Sequence, residues 1–142
     1  MNTALLLLLS LPLSLLAELE SIRNEPDLEK RSALALAYAD TALDRAREAY
    51  QNDDEAALSA ALAEVGQSMD LCKSSLDESG KNARKRPKYF KRAEIGIRRL
   101  IRRLDNFRIE MSPDDRTPVE KLVERAHRLQ EDILHAIMGK KK

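Results

Sequence analysis

The sequence predicts an all-α chain: an antiparallel up-and-down four-helix bundle with coiled-coil-like heptad packing, preceded by an N-terminal signal segment. Composition points there first, because glycine is scarce, tryptophan is absent and Ala, Leu, Glu, Arg and Lys dominate, which favours helix and gives strands little material. Periodicity points there independently, because apolar residues recur in alternating steps of four and three over four stretches of similar length. Short connections rich in Pro, Gly, Asn and Asp separate the stretches. At 142 residues the chain is the length of one domain with a single core.

Residues 1–17 read as a signal peptide. Ala4 to Leu16 is apolar except for Ser10, Pro12 and Ser14, the length and texture of a secretory h-region and too short for a comfortable membrane span. Cleavage is expected at Ala17, so that the mature chain begins with the acidic Glu18-Leu19-Glu20. Before the h-region there is no Lys or Arg, and Leu15 suits the cleavage site poorly, so an uncleaved membrane anchor and a buried N-terminal helix are the alternative readings. No cysteine near Ala17 could take a lipid anchor. Export places the mature protein in the periplasm or outside the cell, as a soluble chain of residues 18–139 followed by a lysine tail at 140–142.

The first helix of that chain is expected over about 26–51, with Pro26 at an early helical position where its missing amide is not needed. It packs through Leu28, Ser32, Ala35, Ala39, Ala42, Ala46 and Ala49, flanked by Leu36, Leu43 and Tyr50. Such small side chains let a neighbour approach closely. Asn52-Asp53-Asp54-Glu55 stops it and supplies an acidic start for the second helix, over about 53–79, which ends with Gly80 at a left-handed cap. Its core face is Leu58, Leu62, Val65, Met69, Cys72 and Leu76.

Pro87 opens the third helix, over about 87–111, with the series Phe90, Ala93, Ile97, Leu100, Leu104, Phe107 and Met111. Ser112-Pro113-Asp114-Asp115 breaks it. The fourth helix, over about 118–138, starts with Thr117 as cap, Pro118 at the first position and Glu120 three after the cap, the pattern of a capping box. Its core series is Val119, Leu122, Ala126, Leu129, Ile133 and Ala136, and Gly139 closes it. Steps averaging about 3.5 imply shallow left-handed crossings. Around Ala42 to Ala63 there is a likeness to a tetratricopeptide hairpin. It fails because these helices are about twice the length that a 34-residue repeat permits.

Charge is segregated behind a formal net charge of +1. Residues 18–80 hold 15 acidic and 6 basic side chains, whereas residues 81–108 hold 12 basic and 2 acidic. The basic block falls on the third helix, whose outward positions include Lys88, Lys91, Arg92, Arg98, Arg99, Arg102 and Arg103. Ile95, Arg102 and Ile109 fall opposite the core at heptad spacing. Arginine forms forked hydrogen bonds to carboxylate or phosphate while isoleucine buries area, so the mixture reads as a contact surface. The competing reading is internal: acidic neighbours neutralise the arginines, and Leu19, Glu20 and Ile22 of the N-terminal segment fold over Ile95 or Ile109.

Chemistry-bearing constellations are weak. His127 and His135 each follow a carboxylate by three residues, Glu124 and Asp132, which resembles half of a di-metal carboxylate site. Both pairs lie on one helix and the facing series carry no acid, so no metal ligand is assigned. No Cys-x-x-Cys-His occurs, which excludes covalent haem, and Met69, Met111 and Met138 fit as packing residues. Cys72, the only cysteine, is expected to be buried and inert. No nucleophile elbow, phosphate loop or dinucleotide motif is present.

The expectation is therefore a non-enzymatic exported bundle, without catalytic residues or cofactor, acting through protein-protein or envelope contacts of the basic third helix. The partner-binding or anion-binding set is Lys91, Arg92, Ile95, Arg98, Arg99, Arg102, Arg103 and Ile109. A second copy, an acidic protein or an anionic envelope component fits that surface. The alternatives are a metal or small-ligand carrier using the fourth-helix histidines, and polyanion or nucleic-acid binding if the chain is not exported. Stacking aromatics are sparse there, with Phe90 and Phe107 assigned to the core and Tyr89 left over, and export would take nucleic acid out of reach.

Overall fold

Strong helix formers with a sustained apolar stripe give helices over most of the described chain. The computed structural model describes the backbone of residues 10–80, 83–85 and 87–139, and side chains within that set from residue 17 onward. Its elements are α1 (Ser10–Arg23), α2 (Leu28–Gln51), α3 (Glu55–Glu78), α4 (Pro87–Glu110), a 3₁₀ turn at Pro113–Asp115, and α5 (Thr117–Met138). The described residues form an all-helical chain compatible with a helical bundle, and none of their helices is long and apolar enough to cross a membrane. The expected leader lies largely outside the described residues. Helical backbone runs from Ser10 through Ala17 to Arg23.

Helix ends follow local chemistry, with two departures from expectation. Asp27, not Pro26, sets the start of α2: its side chain accepts from the amides of Glu29 at 3.1 Å and Lys30 at 3.2 Å. Asp54 does the same for α3 through the amide of Ala57 at 3.1 Å. Gly80 and Gly139 lie beyond the ends of α3 and α5 with φ of +59° and +69°, where a side chain would be strained. The capping box at Thr117 does not form. Arg116 already has helical dihedrals (φ −75°, ψ −23°) because the 3₁₀ turn runs directly into α5, so the amide of Glu120 bonds to the Arg116 carbonyl at 2.9 Å.

The stripes read from periodicity are the buried ones. All seven positions of the α4 series are buried, as are Leu62, Val65, Met69, Cys72 and Leu76 on α3 and Val119, Leu122, Ala126, Leu129 and Ile133 on α5. On α2 Ser32, Ala35, Ala39, Ala42, Ala46 and Ala49 are buried with Leu36 and Leu43. Fraying of the stripes occurs at their ends, where Leu28 and Leu58 are half-buried, Ala136 is exposed, and Met138, expected to pack, is also exposed.

Ion pairs fix the chain directions. Arg31 at the start of α2 meets Glu78 at the end of α3, so these helices are antiparallel, and Gln130 of α5 reaches Glu94 of α4 in the same sense. Between hairpins the sense is parallel: Asp40 meets Arg99 and Arg103, Arg47 meets Glu110, and Asp70 meets Arg125. Direction alternates along the chain as an up-and-down order requires. The neighbours nevertheless differ from a simple ring, because α2 packs on α3 and α4, and α5 on α4 and α3, with little contact between the consecutive α3 and α4. Connection length explains the difference. Three residues between α2 and α3 force adjacency, whereas the eight between α3 and α4 can reach about 26 Å, enough to cross the end of a bundle.

Leu19 and Ile22 of α1 are buried in the core cluster, and α1 packs on α2. Arg31 pins the turn between them by donating to the Glu25 carbonyl at 2.9 Å. The N-terminal segment therefore does not fold over the third predicted helix, as one reading of the sequence had it. Ile95 and Ile109 remain 58% and 63% exposed.

Candidate contact surfaces on α4 and between α3 and α5

The packing of α4 between α2 and α5 sorts its side chains by the face they occupy. Toward α2, Arg103 bonds to the Asp40 carboxylate at 2.9 Å and its backbone carbonyl at 3.1 Å, and to Asp44, while Arg99 reaches Asp40 at 3.1 Å. Burial disfavours the charged Arg103 guanidinium, but its bonds and attraction to Asp40 and Asp44 more than offset this and raise its pKa. Gly96 lets the two helices approach, since a Cβ there would lie 2.8 Å from Leu36 Cδ1.

Toward α5, Glu94 is buried and accepts from Gln130 Nε2 at 3.0 Å and Arg98 Nη2 at 2.8 Å. Burial raises the pKa of its carboxyl, but the hydrogen bonds from Gln130 and Arg98, with the Arg98 charge, outweigh it and hold the group below the usual carboxylate range. A carboxylate with a depressed folded-state pKa stabilises the fold above its unfolded pKa and loses that contribution as pH falls through the folded value. Glu94→Gln is thus expected to lower the melting temperature at pH 7, and the gap to wild type should narrow at pH 3. A gap independent of pH would show that the charge of Glu94 contributes nothing.

The third face points to solvent. Lys91, Arg92 and Arg102 are exposed and make no ion pair with a described residue, and Ile95, Arg102 and Ile109 follow one another at seven-residue steps. At about 1.5 Å per residue the strip is about 21 Å long. Of the eight residues expected to form a contact surface, Arg99 and Arg103 are tied to α2 and Arg98 to Glu94, which leaves Lys91, Arg92, Ile95, Arg102 and Ile109. Arg103 in particular is not outward, with only 25% of its side chain exposed. The acids that take these arginines, Asp40 and Asp44, were in view in the sequence; the parallel pairing of α2 with α4 was not.

Other singled-out residues stay apart. His127 and His135 are both exposed, and no three His, Cys, Asp or Glu side chains among the described residues are placed to hold a metal ion. Cys72 is fully buried with Sγ 3.4 Å from Ser32 Oγ; burial pushes its thiol up to about 11, the Ser32 contact opposing only in part. Its burial is that expected of a core position, and a raised pKa lowers the thiolate fraction on which cysteine reactivity depends.

A second surface was not anticipated. Between the N-terminal halves of α3 and α5 lies an open groove of about 700 Å³. Leu58, Leu62, Met111 and Leu122 form its floor, with Ala63 and Pro118 at the sides. Acids of the α2–α3 and α4–α5 turns meet at its mouth, Asp53, Glu55, Asp114 and Asp115 among them, against Lys121 and an Arg125 already held by Asp70 at 3.0 Å. Asp115 accepts from Tyr50 Oη at 3.0 Å and Asp54 caps α3, whereas Asp53, Glu55 and Asp114 have no ion pair with a described residue. Alternating helix directions put both turns at one end, so the meeting of acids was legible; the groove was not, because it is a gap between α3 and α5, bordered on α3 by the small side chains of Ser59 and Ala63.

The chain matches no protein-family model, and comparisons with curated proteins and with solved structures likewise found no match.

Proposed function

We propose that this is a non-enzymatic, exported helical-bundle protein that acts through protein-protein or envelope contacts made by the outer face of α4. One observation carries the reading: Ile95 and Ile109 stand more than half exposed on either side of Arg102, with Lys91 and Arg92 beside Ile95, on a helix whose other sides pack on α2 and α5. Aliphatic area left in water is unfavourable by about 25 cal/mol per Å². Placed among cations that make no ion pair with a described residue, it suits an acidic partner surface. The buried groups of catalytic type are in structural use, Glu94 by Gln130 and Arg98, and Cys72 by its apolar surroundings and Ser32.

The test combines Ile95→Ser, Arg102→Gln and Ile109→Ser. Because these side chains face water, the unfolding free energy should stay within about 0.5 kcal/mol of wild type. Retention on envelope prepared from the protein's own host, measured by co-sedimentation, should fall at least about tenfold. Retention equal to wild type would overturn the proposal. The export component is read from the intact mass in fractionated host cells: a soluble product beginning near Glu18 agrees with it, whereas full-length protein in the cytosol contradicts it and returns the arginines to polyanion binding.

A further inference from the structure

We infer that the acidic groove between α3 and α5 receives the outer face of α4 from a second copy of the chain, so that copies join head to tail. The inference rests on the reading of α4 as a contact face and names its partner.

Each surface lacks what the other offers. The α4 strip presents isoleucine at both ends and cations that make no ion pair with a described residue, while the groove presents an apolar floor and a rim where Asp53, Glu55 and Asp114 likewise make none. A helix face laid in an apolar groove is a common recognition mode, with anchors spaced by whole turns. Whichever isoleucine enters the groove, Arg102 lies seven residues away, about 10 Å along the helix, within reach of the rim for an extended arginine. Groove volume is ample for one branched side chain and its neighbours.

Within one molecule the strip does not fill the groove: Ile95, Arg102 and Ile109 are exposed on α4 and none of them lines the groove, whose walls come from α3, α5 and the turns before them. A formal net charge of +1 also leaves no strong long-range repulsion between copies. The two patches are different surfaces, so the contact is heterologous: it leaves a free strip at one end and a free groove at the other, and repeats into rings or open chains.

Light scattering and sedimentation of the native protein recovered from host cells test this with two variants. Ile95→Ser with Arg102→Glu removes the strip, and Ala63→Trp with Asp114→Lys fills the groove and reverses its rim. Wild type is expected to exceed the monomer mass in a concentration-dependent manner, and each variant alone to weaken association at least about tenfold. An equimolar mixture of the variants should give heterodimers and nothing longer, since the intact groove of one receives the intact strip of the other, whereas wild type mixed with excess of either variant should yield short capped species. Ala63 and Asp114 are exposed, and an unchanged circular dichroism melt shows that the fold survives.

A monomeric wild type, or a groove variant that associates as wild type does, overturns the inference. Monomeric wild type whose retention on envelope still depends on Ile95, Arg102 and Ile109 leaves the proposed function standing. Loss of neither property in the strip variant overturns both.

Discussion

Phe107→Ala is expected to destabilise the protein by about 3–5 kcal/mol, a large part of the roughly 5–15 kcal/mol that holds a domain folded. Phe107 is 1% exposed, and its ring meets Tyr50 edge to face, with centroids 5.9 Å apart and planes at 81°. Truncation removes apolar area from the core and leaves a cavity that four helices cannot collapse without shifting one another. It also takes the support from Tyr50, whose hydroxyl accepts from the Ser112 amide at 2.9 Å and donates to Asp115, joining α2 to the α4–α5 turn. Phe107→Leu should restore much of the loss by refilling the space. Urea unfolding measures both, and a loss below about 1 kcal/mol for the alanine variant would mean that Phe107 is not a core residue.

Ala42→Leu is expected to cost about 1–3 kcal/mol from the opposite fault, overpacking. Ala42 has no exposed surface and lies in the run Ala35, Ala39, Ala42 and Ala46, through which α2 makes the most extensive interhelical contact of the fold, with α3. Ala61, Ser68 and Ser75 supply small buried side chains on α3, and Ser32 meets Cys72 across the same pair of helices. Leucine favours helix almost as well as alanine, so propensity is not at issue and any loss comes from the extra volume. Ala37, exposed on the same helix, is the control: Ala37→Leu should change stability by less than about 0.5 kcal/mol. Equal effects at the two positions would remove the close approach of α2 and α3 from the account.

These two positions show what was legible in the sequence and why. Phe107 and Ala42 were assigned to core stripes from spacing alone, and both are buried, because a stripe repeated over six turns leaves one way to hide apolar surface. Spacing carries less information where a helix ends: Ala136, the last position of the α5 series, is exposed, and so is Met138. Cap assignment failed where a single dihedral decided it. Thr117 has the right side chain and spacing, but the preceding 3₁₀ turn leaves Arg116 helical and removes the extended residue that a capping box requires.

The candidate site was legible in half. Exposure of Ile95, Arg102 and Ile109 followed from heptad geometry, whereas the capture of Arg99 and Arg103 by Asp40 and Asp44 depended on which helices became neighbours. That choice was set by the length of the α3–α4 connection, which leaves no periodic signal. The groove escaped notice for a related reason: it is a gap between elements, lined from α3, α5 and both turns, and pattern rules describe single elements.

The central claim is that the outer face of α4 makes contacts in the cell that the fold itself does not use. Site-specific photo-cross-linking in host cells measures this directly, with the probe at position 102 on that face and, as control, at position 131, exposed on α5. The account predicts a discrete adduct from position 102 that disappears when Ile95 and Ile109 are changed to serine, with none from position 131. No adduct from position 102, or the same adduct from both positions, would contradict it.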